Sequence, residues 1–131
     1  MRNEGIINPD LCSLIAGLGH TESIVIADAG LPIPQHVKCI DLSLLYGTPG
    51  FLDVLKAVKN ELCIESYIIA SEMESNNPIL LSKTREIMEG IPESKLSHSA
   101  FKQKTADAKA VIRTGENTSY ANIILKAGVV F

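Results

Sequence analysis

Short β-branched apolar runs recur along this chain, and helix-length amphipathic stretches separate several of them. This alternation constrains the fold more than any other feature, because strands spaced by helices of this length build a mainly parallel sheet with helices on its faces. The run Ser23-Ile24-Val25-Ile26-Ala27 is one such strand, and residues 64–70 are another. Both lack polar alternation, as strands buried on two faces do. Residues 37–42, 95–97, 108–113 and 120–125 read as further strands.

Helix starts are marked twice by the same pair of residues. In Asn8-Pro9-Asp10, asparagine is a good N-cap, proline suits the first helical position, and the acid faces the positive end of the helix dipole. Leu11, Leu14, Ile15 and Leu18 follow at helical spacing, with Gly19 as a stop. Asn77-Pro78 repeats the signal and opens a helix ending near Gly90. Residues 51–62 carry a third helical pattern, and residues 101–105 a short fourth. No repeat, low-complexity stretch or linker divides the 131 residues, so the expectation is a single α/β domain over 1–131.

Charge and motif content exclude several classes. A net charge of -3, with basic residues spread out, speaks against nucleic acid or an anionic membrane as partner. No apolar run is long enough to span a bilayer, and the polar N-terminus lacks a signal-peptide core. The expected location is the cytoplasm. Cys12, Cys39 and Cys63 form no CxxC pair and sit among apolar residues, so they read as reduced, buried thiols. Three histidines and three cysteines show no metal-ligand spacing, and no glycine-rich phosphate loop or nucleophile motif is present. No metal and no cofactor is expected. The chain ends on Gly128-Val129-Val130-Phe131, an apolar tail expected to be docked, on its own fold or on a neighbouring subunit.

Ligands of parallel α/β sheets bind beyond the carboxyl ends of the strands. That rule points to Asp28, to the polar loop after Ala70 and to the segment after Arg113. Asp28 reads equally as a turn-forming residue or as a carboxylate in the crevice. His20 follows a helix-ending glycine, where an imidazole can cap a helix or simply lie at the surface. One strand separates it from Asp28, so the two stand roughly 15 Å or more apart within one subunit. A site using both needs a chain reversal or a neighbouring copy. Tyr120 and Asn122 flank Ala121, and in an extended segment they share a face. His98 and Lys102 are further polar groups at element ends. Hydroxyl, amide and imidazole groups suit a sugar, although a loop tyrosine and a turn asparagine explain the last pair equally well.

The ordered runs Gly5-Ile6-Ile7-Asn8, Leu18-Gly19-His20-Thr21, Ile24 through Pro32, Ile40-Asp41-Leu42-Ser43-Leu44, Leu96-Ser97-His98, Asp107 through Glu116 and Tyr120-Ala121-Asn122 resemble the ribose pyranase and L-fucose mutarotase family. Residues 52–93 match it loosely, and Ser119 stands where the family pattern has proline. The Ala29-Gly30-Leu31-Pro32 wording resembles the ribose branch. The resemblance implies a cofactor-free isomerase exchanging the pyranose and furanose rings of D-ribose. It implies a catalytic His20, with Asp28, His98, Tyr120 and Asn122 contacting the sugar. It also implies a homodecamer with sites at subunit contacts. Two alternatives are an L-fucose mutarotase-like enzyme and a non-catalytic sugar-binding partner of a ribose transporter.

Overall fold

The computed structural model describes residues 1–131. The elements follow in the order α1 (Pro9–Gly17), β1 (Ser23–Ala27), β2 (Lys38–Asp41), α2 (Phe51–Glu61), β3 (Ile64–Ala70), α3 (Met73–Asn76), α4 (Pro78–Ile87), β4 (Glu93–Leu96), α5 (His98–Lys104), a 3₁₀ turn (Thr105–Asp107), β5 (Ala110–Arg113) and β6 (Ile123–Ala127). The expected α1 cap forms: the Asn8 side chain accepts from the Leu11 N–H at 3.0 Å.

The six strands lie in the order β2-β5-β1-β6-β3-β4. Pairings β2–β5, β5–β1 and β3–β4 are parallel, whereas β6 runs antiparallel to both β1 and β3. The sheet is therefore mainly parallel with one reversed strand. Residues 114–122 leave β5 at the carboxyl edge and enter β6 from that same edge. A parallel return would need a crossover of about a dozen residues or more.

Alternation along β1 divides the interior. Ile24 and Ile26 point into the larger core, with Phe51, Leu55 and Val58 of α2, Met73 of α3, Leu81 of α4 and Leu11 of α1. Val25 and Ala27 point the other way, toward Phe101 of α5, Leu31, Val37 and Val111. Helices thus cover both faces, four on one side and α5 on the other. Each fully buried isoleucine or phenylalanine contributes about 1.5–3 kcal/mol through its removal from water.

The expectation of buried cysteines is corrected. Cys39 and Cys63 are exposed and Cys12 is half-buried, all three as free thiols. Cys39 lies on β2, an edge strand in which only Ile40 is buried, and Cys63 lies in the turn joining α2 to β3. The first half of the apolar tail is anchored, where the Gly128 N–H donates to the Cys63 carbonyl at 2.9 Å and the Val129 carbonyl accepts from the Cys63 thiol at 3.2 Å. Val130 and Phe131 are fully exposed on the isolated chain. No helix is long and apolar enough to cross a membrane.

Candidate active site

The carboxyl edge of the sheet gathers four of the five expected residues. Asp28 follows β1, His98 opens α5 just after β4, and Tyr120 and Asn122 precede β6. Asn122 is fully buried, and its amide meets Asp28 twice: the Asp28 N–H donates to Oδ1 at 2.8 Å, and Nδ2 donates to the Asp28 Oδ2 at 2.9 Å. The other carboxylate oxygen of Asp28 accepts from the Gly30 N–H at 2.9 Å, so Asp28 is also a turn former. The two readings of Asp28 are compatible, because one oxygen shapes the turn while the carboxylate as a whole lines a cleft.

That cleft has a volume of about 320 Å³ and is walled by Asp28, Gly30, Leu31, Pro32, His98, Ser119 and Tyr120. A second hollow of about 310 Å³ shares Asp28, Gly30 and Ser119 with it and extends to Tyr46 and Glu116. A larger groove of about 720 Å³ along α4 is lined by Glu74, Arg85, Glu86 and Glu89 among others, and contains none of the expected site residues.

Tyr120 does not sit in an extended segment. Its φ is +56°, in the left-handed region that bulky residues avoid, and β6 begins only at Ile123. The alternation argument for Tyr120 and Asn122 therefore fails, and the two reach the site by a turn closed by the Asn122 N–H on the Tyr120 carbonyl at 2.9 Å. Such backbone costs of order 1–3 kcal/mol and persists where its surroundings over-determine it. Asn77 supplies part of that support, its Nδ2 donating to the Ser119 carbonyl and to the Thr118 hydroxyl, both at 2.9 Å. The His98 ring meets Tyr120 edge to face, with ring centres 5.0 Å apart and planes at 82°. The His98 Nδ1 is shielded from solvent without a hydrogen-bond partner in the chain.

Glu72 and Glu116 were not singled out by residue, although both lie in the segments after Ala70 and Arg113 to which the strand-end rule points. Both carboxylate oxygens of Glu72 accept the His98 N–H, at 3.0 and 2.9 Å, and this bond holds the Glu72 carboxyl below its ordinary range. Glu116 caps α2 from afar by accepting the Phe51 N–H at 3.0 Å, and its own carbonyl accepts the Ala29 N–H at 2.8 Å. An acid placed soon after a strand is the signal both residues share, while the reach of Glu116 to Phe51 across the fold has no local mark. Lys102 is exposed on α5, outside the residues lining the cleft.

His20 lies at the opposite, amino edge of the sheet, as the spacing requires. It is exposed before β1, with Nε2 3.3 Å from Glu65 Oε1. The chain does not bring it to Asp28. No cluster of histidine, cysteine and acidic side chains could hold a metal.

One cleft of this small α/β domain thus presents a carboxylate, an imidazole and a phenol, with the buried Asn122 amide bonded to Asp28 behind it. The chain belongs to the RbsD / FucU transport protein family, whose model matches residues 1–130. It is 53% identical to a D-ribose pyranase of Geobacillus kaustophilus over 131 residues, covering 100% of this chain and 96% of the relative. Bacillus subtilis RbsD, solved in complex with D-ribose, superposes with a TM-score of 0.97 at 47% identity, covering 100% of both chains. The fucose mutarotase of Streptococcus pneumoniae, solved with L-fucose, gives a TM-score of 0.83 at 27% identity and 95% coverage of each chain.

Proposed function

We infer that this chain is a D-ribose ring isomerase, interconverting the β-pyranose and β-furanose forms. The observation that carries the reading is its full-length likeness to D-ribose pyranases, joined to a matching fold that holds D-ribose in the Bacillus subtilis protein.

The two ring forms exchange through the open-chain aldehyde. Opening removes a proton from the anomeric hydroxyl and delivers one to the ring oxygen. Closure through another hydroxyl reverses both transfers. Proton movement by positioned side chains accounts for such a reaction, and an imidazole of ordinary pKa about 6.5 serves as both acid and base near neutrality. His20 carries the proton in this reading. Asp28 accepts hydrogen bonds from sugar hydroxyls, and its pairing with Asn122 holds it in place. The His98 ring and the Tyr120 phenol add hydrogen-bonding groups on the cleft wall, and Asn122 contributes to sugar binding by holding Asp28.

Because β1 keeps His20 and Asp28 roughly 17 Å apart at about 3.3 Å per residue, a working site takes His20 from one copy and Asp28 from another. A homodecamer is the size that the family resemblance favours. The exposed apolar loop Leu44-Leu45-Tyr46, which borders the hollow beside Asp28, suits a contact between copies. Three free cysteines fit a reducing cytoplasm.

Saturation-transfer NMR on D-ribose tests the reading. Faster exchange between pyranose and furanose signals with the protein present supports it. Binding without acceleration moves the assignment to a non-catalytic partner of a ribose transporter, and acceleration with L-fucose alone moves it to the fucose branch.

A further inference from the structure

The surroundings of His20 are more heavily built than an exposed histidine requires. The turn Gly19-His20-Thr21-Glu22 is locked on itself, with the Gly19 N–H on the Glu22 carboxylate at 2.8 Å and the Glu22 N–H on the Gly19 carbonyl at 3.2 Å. It is tied to β6 twice, through the Thr21 N–H on the Ala127 carbonyl at 2.9 Å and the Ala127 N–H on the Glu22 carbonyl at 2.8 Å. Within it Thr21 holds φ at +72°, unfavourable for a β-branched residue. Opposite this turn, the pairing of β3 with β6 slips between Ile64 and Ser66, so Glu65 occupies an irregularity in the ladder. Irregularities of this kind re-aim a side chain, and they concentrate beside functional sites.

We propose that Glu65 is a positioning residue that fixes the tautomer of His20, holding the proton on Nε2 and leaving Nδ1 to exchange protons with the sugar. The carboxylate accepts from Nε2–H at 3.3 Å, and the bond one ring nitrogen makes decides the state of the other. The same bond is the main cause that holds the Glu65 carboxyl below its ordinary range, with Lys126 assisting from 3.4 Å. The remaining charges near the turn are Glu22 and Lys109, paired with each other at 2.9 Å.

The proposal rests on His20 being the proton carrier. The anomeric hydroxyl and the ring oxygen are bonded to the same carbon, so one nitrogen can reach both. Nδ1 takes the anomeric proton as the carbonyl forms and the bond from that carbon to the ring oxygen breaks. The imidazolium then returns the proton to the released oxygen. Closure through the 4-hydroxyl repeats the exchange in reverse, and the histidine ends as it began. Glu65 stabilises the transient cation without touching the sugar.

Long-range ¹H–¹⁵N correlation NMR on ¹⁵N-histidine-labelled protein reads the tautomer directly, with His20→Gln assigning the signal. The expected result is a protonated Nε2 and a bare Nδ1. Glu65→Ala is expected to lower kcat about tenfold, a fraction of the roughly 10²–10⁴ that general acid–base catalysis supplies, with KM within twofold. Glu65→Gln, whose amide oxygen still accepts from Nε2–H, is expected to recover part of the loss. A proton on Nδ1 in the unmodified protein, or an unchanged kcat in Glu65→Ala, overturns the proposal. Full activity in His20→Ala overturns instead the assignment of His20 as the carrier, and the tautomer measurement stands apart from it.

Discussion

Asn122 grips Asp28 at both ends, accepting from its backbone N–H and donating to its carboxylate. One fully buried amide thereby fixes both the backbone and the side chain of the residue that opens the cleft. In Asn122→Ala the Asp28 N–H loses its acceptor, and leaving such a group unpaired costs about 1–3 kcal/mol. The expected outcome is a lower urea midpoint together with weakened D-ribose binding by calorimetry. An unchanged midpoint would mean that the pair does not hold the loop.

His20→Ala separates chemistry from folding. His20 is exposed and its side chain bonds only to Glu65, so its loss should leave stability within about 0.5 kcal/mol. Ring exchange is expected to fall by roughly 10²–10⁴. Chemical denaturation and saturation-transfer NMR on the same sample check both halves.

Gly115→Ala is expected to destabilise the protein. A β-carbon there would lie 2.6 Å from the Thr48 carbonyl oxygen and would overlap that of Leu45. Gly115 also exchanges backbone hydrogen bonds with Gly47 and Pro49, so the loop cannot move aside freely. Overpacking of this kind costs about 1–3 kcal/mol, read as a shift in the denaturation midpoint. Activity should fall as well, because Glu116 and the hollow beside Asp28 follow directly.

Acid should weaken the fold through Glu93. Its carboxylate accepts from Arg85 at 2.9 and 2.8 Å and from the hydroxyl of the buried Tyr67 at 3.0 Å. Arg85, and then Tyr67, hold the Glu93 carboxyl below its usual 4.5. A depressed folded value means that the contribution is fully present above pH 4.5 and is lost as pH falls through the lower folded value. Glu93→Gln should flatten the acid limb of a stability–pH curve measured by denaturant titration. Desolvation, with Glu93 adding to it, pushes the Tyr67 phenol up to about 12, so it stays protonated across the whole range.

Leu45→Asp tests whether the working site spans two copies. The loop it sits on is exposed and apolar, and a charge there should break a contact between subunits. The expected result is a smaller particle by light scattering and a loss of ring exchange in the same variant. A monomeric unmodified protein that still accelerates exchange would contradict the shared site.

Much of the fold was legible because local signals agreed with the tertiary outcome. β1 and β3 fall where their β-branched runs stand, and α1 and α4 begin at their Asn-Pro pairs. The reversal of β6 is carried by the short connection before it and not by the apolar run itself, which reads the same in either direction. α3 is a single turn, too short to show a period. Cys39 misled because its apolar neighbours line an edge strand with one covered position. At the site, the opposition of His20 and Asp28 followed from counting residues through β1. The roles proposed for His98, Tyr120 and Asn122 come from the resemblance, and the left-handed turn at Tyr120 left no mark that periodicity could register.

The reversed strand has a consequence for how this protein can vary. β6 starts beside Asn122 at the carboxyl edge and ends at Ala127, where it ties the His20 turn. It therefore works as a ruler between the two chemical poles, graduated in residues. One residue inserted into it would turn every following side chain to the opposite face and displace one pole relative to the other. Drift in length is tolerable in the surface loops, but the spacing between the His20 turn and the Asp28 cleft of one chain is inherited as a fixed number of peptide units.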